Sequence, residues 1–512
     1  MEFNRKLNSV RNIIFGSALK LYQILMPFLM RTVMLYVMGI QYLGLNSLFA
    51  SIIQVLNLAE LGVGSAMIFS MYKPVAEGND EEICGLMLLY KKYYRIIGTA
   101  VLVLCLCLMP FIGNLVKTDT VPPDINIYIL YALNLMATVS SYWLFAYKNA
   151  VIQAHQREDI ISKVTLLVTT CLYIVQILLL IAFHNYYFYV IAIIMSNIAI
   201  NICTAIFAEK MYPQYKARGS LPKSKVKEIN KRVRDLFTAR IGSVIVESAD
   251  TIVISAFLGL TVLAQYQNYY FIITALIGLI TVILSSSRAG IGNSLVTETK
   301  EKNFFDFKRL TLIIFWICTT VSAILLAVFQ PFIKLWAGEE NLLSYSIVVC
   351  IVIYFFISQM NGLFNLYKDA AGIWNKDKYR TLITALSNLC LNLLTVRWLG
   401  LYGVILSTVV STVVIGIPWI LHNLFTTVFD KKQLGGFVKQ IIVYVIIAVA
   451  SGVITAAMAN HIDVNNFVQL ILGGVLGVIV SNILMIALLF KTDTFKSCIE
   501  LVKDIVKFKR KV

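Results

Sequence analysis

Six ionisable residues sit where ionisable residues are expensive. Lys20, Arg31, Glu60, Arg240, Glu247 and Asp250 all fall inside long apolar stretches of the chain. Each such charge costs about 2.5 to 3.5 kcal/mol at the centre of a membrane helix on insertion scales, so each needs a partner, a water-filled cavity or a function. The chemistry on offer is binding rather than bond making. No nucleophile elbow, phosphate loop or zinc motif is present. His155, His184, His422 and His461 stand at segment ends or in loops without metal spacing.

Helical phase tests whether these residues share a face, at 100° per residue. In the first apolar helix Lys20, Gln23, Pro27 and Arg31 fall within roughly 80° of one another. In the second, Asn46, Gln54, Asn57, Glu60 and Gly64 span roughly 120°. In the seventh, Arg240, Ser243, Glu247, Asp250 and Thr251 lie within roughly 100°. Polar stripes on apolar cylinders face a cavity or a polar partner. A cavity is not the sole outlet for such charges: Lys20 and Arg240 can snorkel to the headgroups, and Arg31, Glu60 and Glu247 can serve in structural ion pairs. Arg288, after Ser285-Ser286-Ser287, reads as a membrane anchor, and Pro27 should kink the first helix.

The elements that must position these stripes are transmembrane helices. Of 512 residues 59% are hydrophobic and 14% charged, against about a quarter charged in soluble proteins. We expect an all-α membrane protein of about fourteen spans: 12–38, 42–70, 94–116, 125–152, 160–183, 186–208, 236–258, 263–287, 310–336, 342–367, 379–398, 401–427, 437–459 and 466–490. Most of the 44 Lys and Arg fall on one side of that arrangement, leaving Lys117, Lys334 and Arg397 opposite, so both termini are expected in the cytoplasm and the chain in the cytoplasmic membrane. The net charge of +17 is then an orientation signal and not a nucleic-acid site. The nine cysteines form no CxxC pair, and those within apolar runs, such as Cys105, Cys107, Cys171 and Cys318, read as small buried hydrophobes.

The chain also repeats itself. Pro110-Phe111-Ile112 returns as Pro331-Phe332-Ile333, Tyr147-Lys148-Asn149-Ala150 as Tyr367-Lys368-Asp369-Ala370, and Gly39-Ile40 with Leu43 as Gly259-Leu260 with Leu263, at a shift of 220 or 221 residues. The same shift carries Lys20 onto Arg240. Six spans per copy make parallel repeats, whose substrate site is expected between them near the bilayer midplane. The expected organisation is an N-lobe at 1–208, a basic connector at 209–235 running as a loop into a short amphipathic helix, a C-lobe at 236–427, two appended helices at 428–490 and a basic amphipathic tail at 491–512.

With Gly39 to Tyr42 leading into Leu43-Gly44-Leu45, and with the stretch Leu58-Ala59-Glu60-Leu61-Gly62-Val63-Gly64-Ser65-Ala66, this duplicated chain with two extra spans resembles the polysaccharide flippases. These export O-antigen and capsular repeat units and belong to the multidrug/oligosaccharidyl-lipid/polysaccharide exporter superfamily. The resemblance implies a V-shaped bundle that passes an undecaprenyl-pyrophosphate-linked oligosaccharide across the membrane by alternating access. It implies that Lys20, Arg31 and Arg240 hold pyrophosphate, that Gln23, Asn46, Gln54, Asn57, Ser243, Asn361 and Asn365 meet sugar hydroxyls, and that Glu60, Glu247 and Asp250 balance charge or couple transport to H+ or Na+. Membrane lipids and a glycan polymerase are the further partners it suggests, with no resident cofactor, no metal and no nucleic acid. Two rivals remain at this point: a cation-coupled multidrug antiporter of the MATE type, and an oligosaccharide polymerase or ligase of similar topology.

Overall fold

The computed structural model describes residues 5–60, 62–117, 120–374, 376–461 and 466–500. Every regular element among them is helical. In chain order these are α1 (Arg5–Val37), α2 (Ile40–Leu56), α3 (Val63–Glu77), α4 (Asp80–Leu108), α5 (Ile127–Trp143), α6 (Asn149–Ala154), α7 (Glu158–Phe183), α8 (Tyr186–Met211), α9 (Lys223–Leu258), α10 (Leu260–Thr297), α11 (Lys300–Ala337), α12 (Tyr345–Ala370), α13 (Arg380–Leu399), α14 (Leu401–Ser411), α15 (Ile417–Thr427), α16 (Leu434–Ala459) and α17 (Phe467–Leu489). Side chains start them. Asn79 caps α4 by accepting from the Glu82 N–H at 3.1 Å, Asn126 caps α5, and Thr299 caps α11.

Among the described residues eleven helices are long and apolar enough to cross a bilayer, or twelve if α5 and the 146–154 segment, bent by 46°, count as one span. The apolar stretches predict fourteen. All fourteen are helical, but the second is broken between α2 and α3, and the seventh lies in α9, where several side chains fall outside the described residues. Pro27 leaves α1 a single helix. Residues 209–235 also differ from expectation. A loop runs only to Pro222, and the basic segment after it continues into the 36 residues of α9 with no separate amphipathic helix. Pro222 occupies the N-cap, and the Lys, Glu and Val residues after it carry no break. Lys225 pairs with Glu82 of α4, and the Arg232 guanidinium lies 4.3 Å from the Phe69 ring centroid.

By internal contacts the chain divides into Met1–Ala264 and Gln265–Val512. In the first unit α1 packs on α7, α7 on α8, α5 on α8, and α9 on α2 and α3. Helix α9, expected to open the second lobe, thus belongs by its contacts with the first. The corner between α9 and α10 needs glycine: Gly259 has φ +94°, and a Cβ there would come within 2.7 Å of Thr120 Cγ2. Gly39, its counterpart in the repeat, has φ +105° between α1 and α2. The duplication is therefore visible in the backbone as well as in the letters.

In the second unit α11 is the central pillar, touched by α12, α16 and α17. The appended pair approaches it through small residues. A Cβ on Gly477 would meet the Ile324 backbone nitrogen at 2.9 Å, and Ser481 Oγ donates to Thr320 Oγ1 at 3.3 Å. Their outer faces, Ile442, Val449, Val453, Val468, Ile471 and Ile483 among them, are exposed as lipid-facing residues must be. The tail, expected as an interfacial helix, is helical over 493–500 and docks by stacking Phe495 on Trp316, centroids 5.5 Å apart; the basic residues from 501 onward lie outside the described residues. Of the cysteines, Cys105 and Cys318 are buried as expected, whereas Cys107 and Cys171 sit on exposed faces, because apolar surface is stable against lipid as well as in a core.

Candidate functional site

In the first unit α1, α2 and α8 bring Arg31 to an aromatic stack. Arg31 is half-buried and lies beside Tyr189. Tyr189 stacks on Tyr186, centroids 5.5 Å apart, and Tyr186 meets Tyr42 at 5.5 Å. Tyr186 donates from its hydroxyl to Asn46 Oδ1 at 3.4 Å, and Tyr42 donates to Asp124 Oδ1 at 2.5 Å. The planar fork of guanidinium N–H donors matches phosphoryl oxygens in two-pronged fashion. The tyrosines come from a spacing outside the polar stripes. Tyr186 and Tyr189 are three residues apart on α8 and so share a face.

A second polar cluster surrounds Glu60. The stretch resembling the flippases is a helix break: α2 ends at Leu56, a 3-10 turn covers Asn57–Glu60, and Gly62 takes φ +91° before α3 begins. A Cβ on Gly62 would meet Leu236 Cβ of α9 at 2.6 Å, so this glycine serves both the turn and a close approach. Tyr90 donates to Tyr94 at 2.8 Å, Tyr94 donates to Glu60 Oε1 at 2.6 Å, and Tyr142 donates to Asn57 Oδ1 at 2.8 Å. Two hydroxyls in series thus end on one carboxyl oxygen of Glu60. Tyr90 and Tyr94, four residues apart on α4, are legible in the sequence as a pair facing one way.

The second unit holds its own polar clusters. Arg380, 3% exposed, donates from Nε to Asp377 Oδ1 at 2.7 Å, and from Nη2 to Asp377 Oδ2 at 2.9 Å and to Asn365 Oδ1 at 2.7 Å. Asn365 in turn donates to the Asn361 carbonyl at 2.8 Å. Asn365, expected among the sugar-facing amides, thus has its amide oxygen engaged by a buried arginine. Asn361 Oδ1 is buried with no hydrogen-bond partner among the described residues. Between α13 and α14, buried Asn388 donates to Thr408 Oγ1 at 2.7 Å, next to a π-helical turn at Thr412–Gly416. Sequence spacing gives no signal for that turn.

The remaining expected residues are scattered. Lys20 and Gln23 are exposed on α1, which removes them from a buried site within their own unit. The side chains run along an α1 face that α7 and α2 do not cover, a distinction that phase within one helix cannot supply. Gln54 is half-buried on α2, and Asp250 is buried on α9. The side chains of Arg240, Ser243 and Glu247 lie outside the described residues. Arg288, expected as an anchor, pairs with Asp369 Oδ2 at 3.5 Å. Among the described residues no group of three or more His, Cys, Asp or Glu is placed to hold a metal.

With cationic and carboxylate clusters set in a duplicated helical chain, comparison with known proteins becomes decisive. The profile of the family described as "Polysaccharide biosynthesis protein" matches residues 9–289. The chain belongs to that family. Comparison with curated protein sequences finds no match. Among solved structures the chain is similar to the lipid II flippase MurJ in an inward closed conformation, at 16% identity and a TM-score of 0.66, covering 93% of this chain and 98% of that one. It is also similar to a eukaryotic MATE transporter, at 13% identity and a TM-score of 0.54, over 85% of this chain and 98% of the other. A MATE in a bent conformation gives 14% identity and a TM-score of 0.51 over 85% and 96%. At these identities the likeness is one of fold. The chain thus shares the all-helical fold of these solved structures.

Proposed function

We propose that the chain is a transporter rather than an enzyme, a flippase that moves a polyprenyl-pyrophosphate-linked oligosaccharide repeat unit across the cytoplasmic membrane by alternating access. The observation that carries this is Arg31, half-buried in an apolar helix beside a tyrosine stack, in a chain whose family makes polysaccharide. Arg31 grips pyrophosphate; Asn46 and the tyrosine hydroxyls meet the sugars; the prenyl tail stays in lipid. The carrier is undecaprenyl pyrophosphate, both termini face the cytoplasm, and a glycan polymerase receives the product. The two copies of the repeat rock against each other, and Glu60, Glu247 and Asp250 supply charge balance or H+ or Na+ coupling. A cation-coupled drug antiporter is disfavoured because a fixed guanidinium repels cationic drugs.

The test replaces Arg31. Arg31→Ala should stop export of lipid-linked glycan while the protein stays at normal abundance, and Arg31→Lys should restore only part, since it supplies a point charge without the planar fork. Normal export by Arg31→Ala, or gain of cationic-dye efflux as the chief activity of the wild type, overturns the assignment.

A further inference from the structure

A cavity of about 300 Å³ opens in the second unit between α10 and α11, lined by none of the residues of the clusters around Arg31, Glu60 and Arg380. Gly290 and Ser294 of α10, Asn303, Asp306 and Arg309 of α11, and Tyr367 of α12 line it. Its walls are built. Ser294 Oγ donates to Asn303 Oδ1 at 2.8 Å, Asn303 Nδ2 returns a bond to the Ser294 carbonyl at 3.0 Å, and Arg309 Nη2 lies 2.8 Å from Asp306 Oδ1. Asp306 and Arg309 are each 28% exposed, so the pair looks into the opening rather than being sealed away.

The cavity stands at a membrane boundary. Helix α11 has 38 residues, about 57 Å at 1.5 Å each, whereas the hydrocarbon core is about 30 Å thick, so one end must project among the headgroups. Its uncharged, mainly apolar run begins at Leu310, directly after Arg309. Asp306, Arg309, Leu310 and Ile313 share one helical face, so a charged pair gives way to apolar side chains along the same stripe. A molecule seated there meets polar groups at one end and hydrocarbon at the other.

Charge decides which molecule. The lining ions cancel, and the neighbouring cations are engaged elsewhere: Lys302 pairs with Glu298 at 2.6 Å, and Lys308 lies 5.0 Å from the Phe304 ring centroid. The ion pair uses one of the five guanidinium N–H donors, and a carboxylate accepts more than one bond. We infer that this cavity binds the headgroup of a zwitterionic aminophospholipid, with the phosphate on Arg309 and the primary ammonium on Asp306, the acyl chains leaving along Leu310 and Ile313. A purely anionic headgroup meets Asp306 as a like charge, and a quaternary amine has no N–H to give it.

Gly290 supplies the test, because nothing lies within 4 Å of a Cβ built there and its helical backbone accepts a side chain. Purified full-length protein in detergent is mixed with dioleoyl phosphatidylethanolamine, phosphatidylcholine or phosphatidylglycerol, and retained lipid is read by native mass spectrometry. The wild type should hold the ethanolamine lipid about tenfold more than the choline lipid, the value of one charge-assisted hydrogen bond. Gly290→Leu should lose that retention at an unchanged melting temperature, and Asp306→Asn should shift preference to phosphatidylglycerol by leaving Arg309 uncompensated. Equal retention of ethanolamine and choline lipids by the wild type, a wild-type preference for phosphatidylglycerol, or full retention by Gly290→Leu overturns the assignment.

Discussion

The two copies of one short motif have settled their charges differently. In the first copy Lys148 of Tyr147-Lys148-Asn149-Ala150 is buried and pairs with Glu209, whose side chain is 66% exposed. A separate cluster on α7 places Asp159 between Arg157 Nε at 2.9 Å and Lys163 Nζ at 3.0 Å, while the Asp159 N–H donates to Asn12 Oδ1 of α1. In the second copy the residue after the lysine is Asp369, not an amide. Lys368 reaches Asp369 Oδ1 at 2.8 Å and Asp377 Oδ2 at 3.6 Å, Asp369 also pairs with Arg288, and Asp377 is chelated by Arg380. The second copy draws Lys368, Asp369, Asp377, Arg288 and Arg380 into a single network with buried members where the first copy keeps separate pairs, and across the repeat Asp369, Asp377 and Arg380 stand where the first copy has Asn149, Arg157 and Ile160. Duplicated sequence conserves the helical scaffold because apolar spacing sets it. The electrostatics are free to diverge, since they depend on which side chains other helices deliver.

The sharpest way to break this comparison is to remove one anion from each copy. Asp377→Ala strands Arg380, which is 3% exposed, and should cost about 3 to 5 kcal/mol, whereas Glu209→Gln leaves an amide oxygen that still accepts from the buried Lys148 and should cost about 1 to 2 kcal/mol. Melting temperatures of the purified variants decide it, and equal losses would mean that the two corners are electrostatically alike. A smaller effect is expected from Asp369→Asn, which restores the first copy's amide and releases Arg288, while Lys368 keeps Asp377 at 3.6 Å. Arg288 and Lys368 lose their shared carboxylate, for a destabilisation of about 1 to 3 kcal/mol, tempered because Arg288 is 55% exposed in its side chain. No change in melting would show that the network beyond the Asp377 and Arg380 pair contributes nothing.

The smallest effect concerns acid. His155, just past α6, is packed on Tyr212 with centroids 4.1 Å apart and faces Tyr215 and the charge of Asp80; its ring bonds the Val151 carbonyl at 2.8 Å. Burial pushes its pKa below the ordinary 6.5, so below that pH the unfolded chain binds the extra proton first and stability falls as pH falls. The repeat places Asn375 at the corresponding position, which does not titrate. His155→Phe should keep the ring contact and flatten the melting profile below about pH 6.5. An unchanged acid slope in that variant would assign the sensitivity to other groups.

Much of this fold is legible in the amino-acid letters. The fourteen apolar stretches are helical, the repeat offset reappears in the positive φ of Gly39 and Gly259, and the Leu58 to Ala66 stretch does mark a special place in the chain. What that stretch does is not legible. It reads as a polar stripe on a continuous helix, yet Gly62 breaks the helix so that α3 can start afresh against α9. Lys20 and Arg31 share a face by phase, yet one is exposed and the other half-buried, because neighbours and not periodicity assign the faces of α1.

The sequence alone determined that this chain lies in a bilayer, that it is helical and that it is doubled. These follow from transfer free energy and backbone hydrogen bonding, which act on each segment independently of the others. Tertiary structure alone decided which polar groups meet: Tyr90 and Tyr94 on Glu60, Tyr189 beside Arg31, Arg380 on Asp377 and Asn365, Phe495 on Trp316. Those contacts join residues from tens to well over a hundred positions apart, or sit across a loop whose path no periodicity encodes. Inside lipid an apolar face tolerates either lipid or protein, so hydrophobic spacing cannot say which neighbour a face will have; close packing and the pairing of the few costly polar groups make that choice.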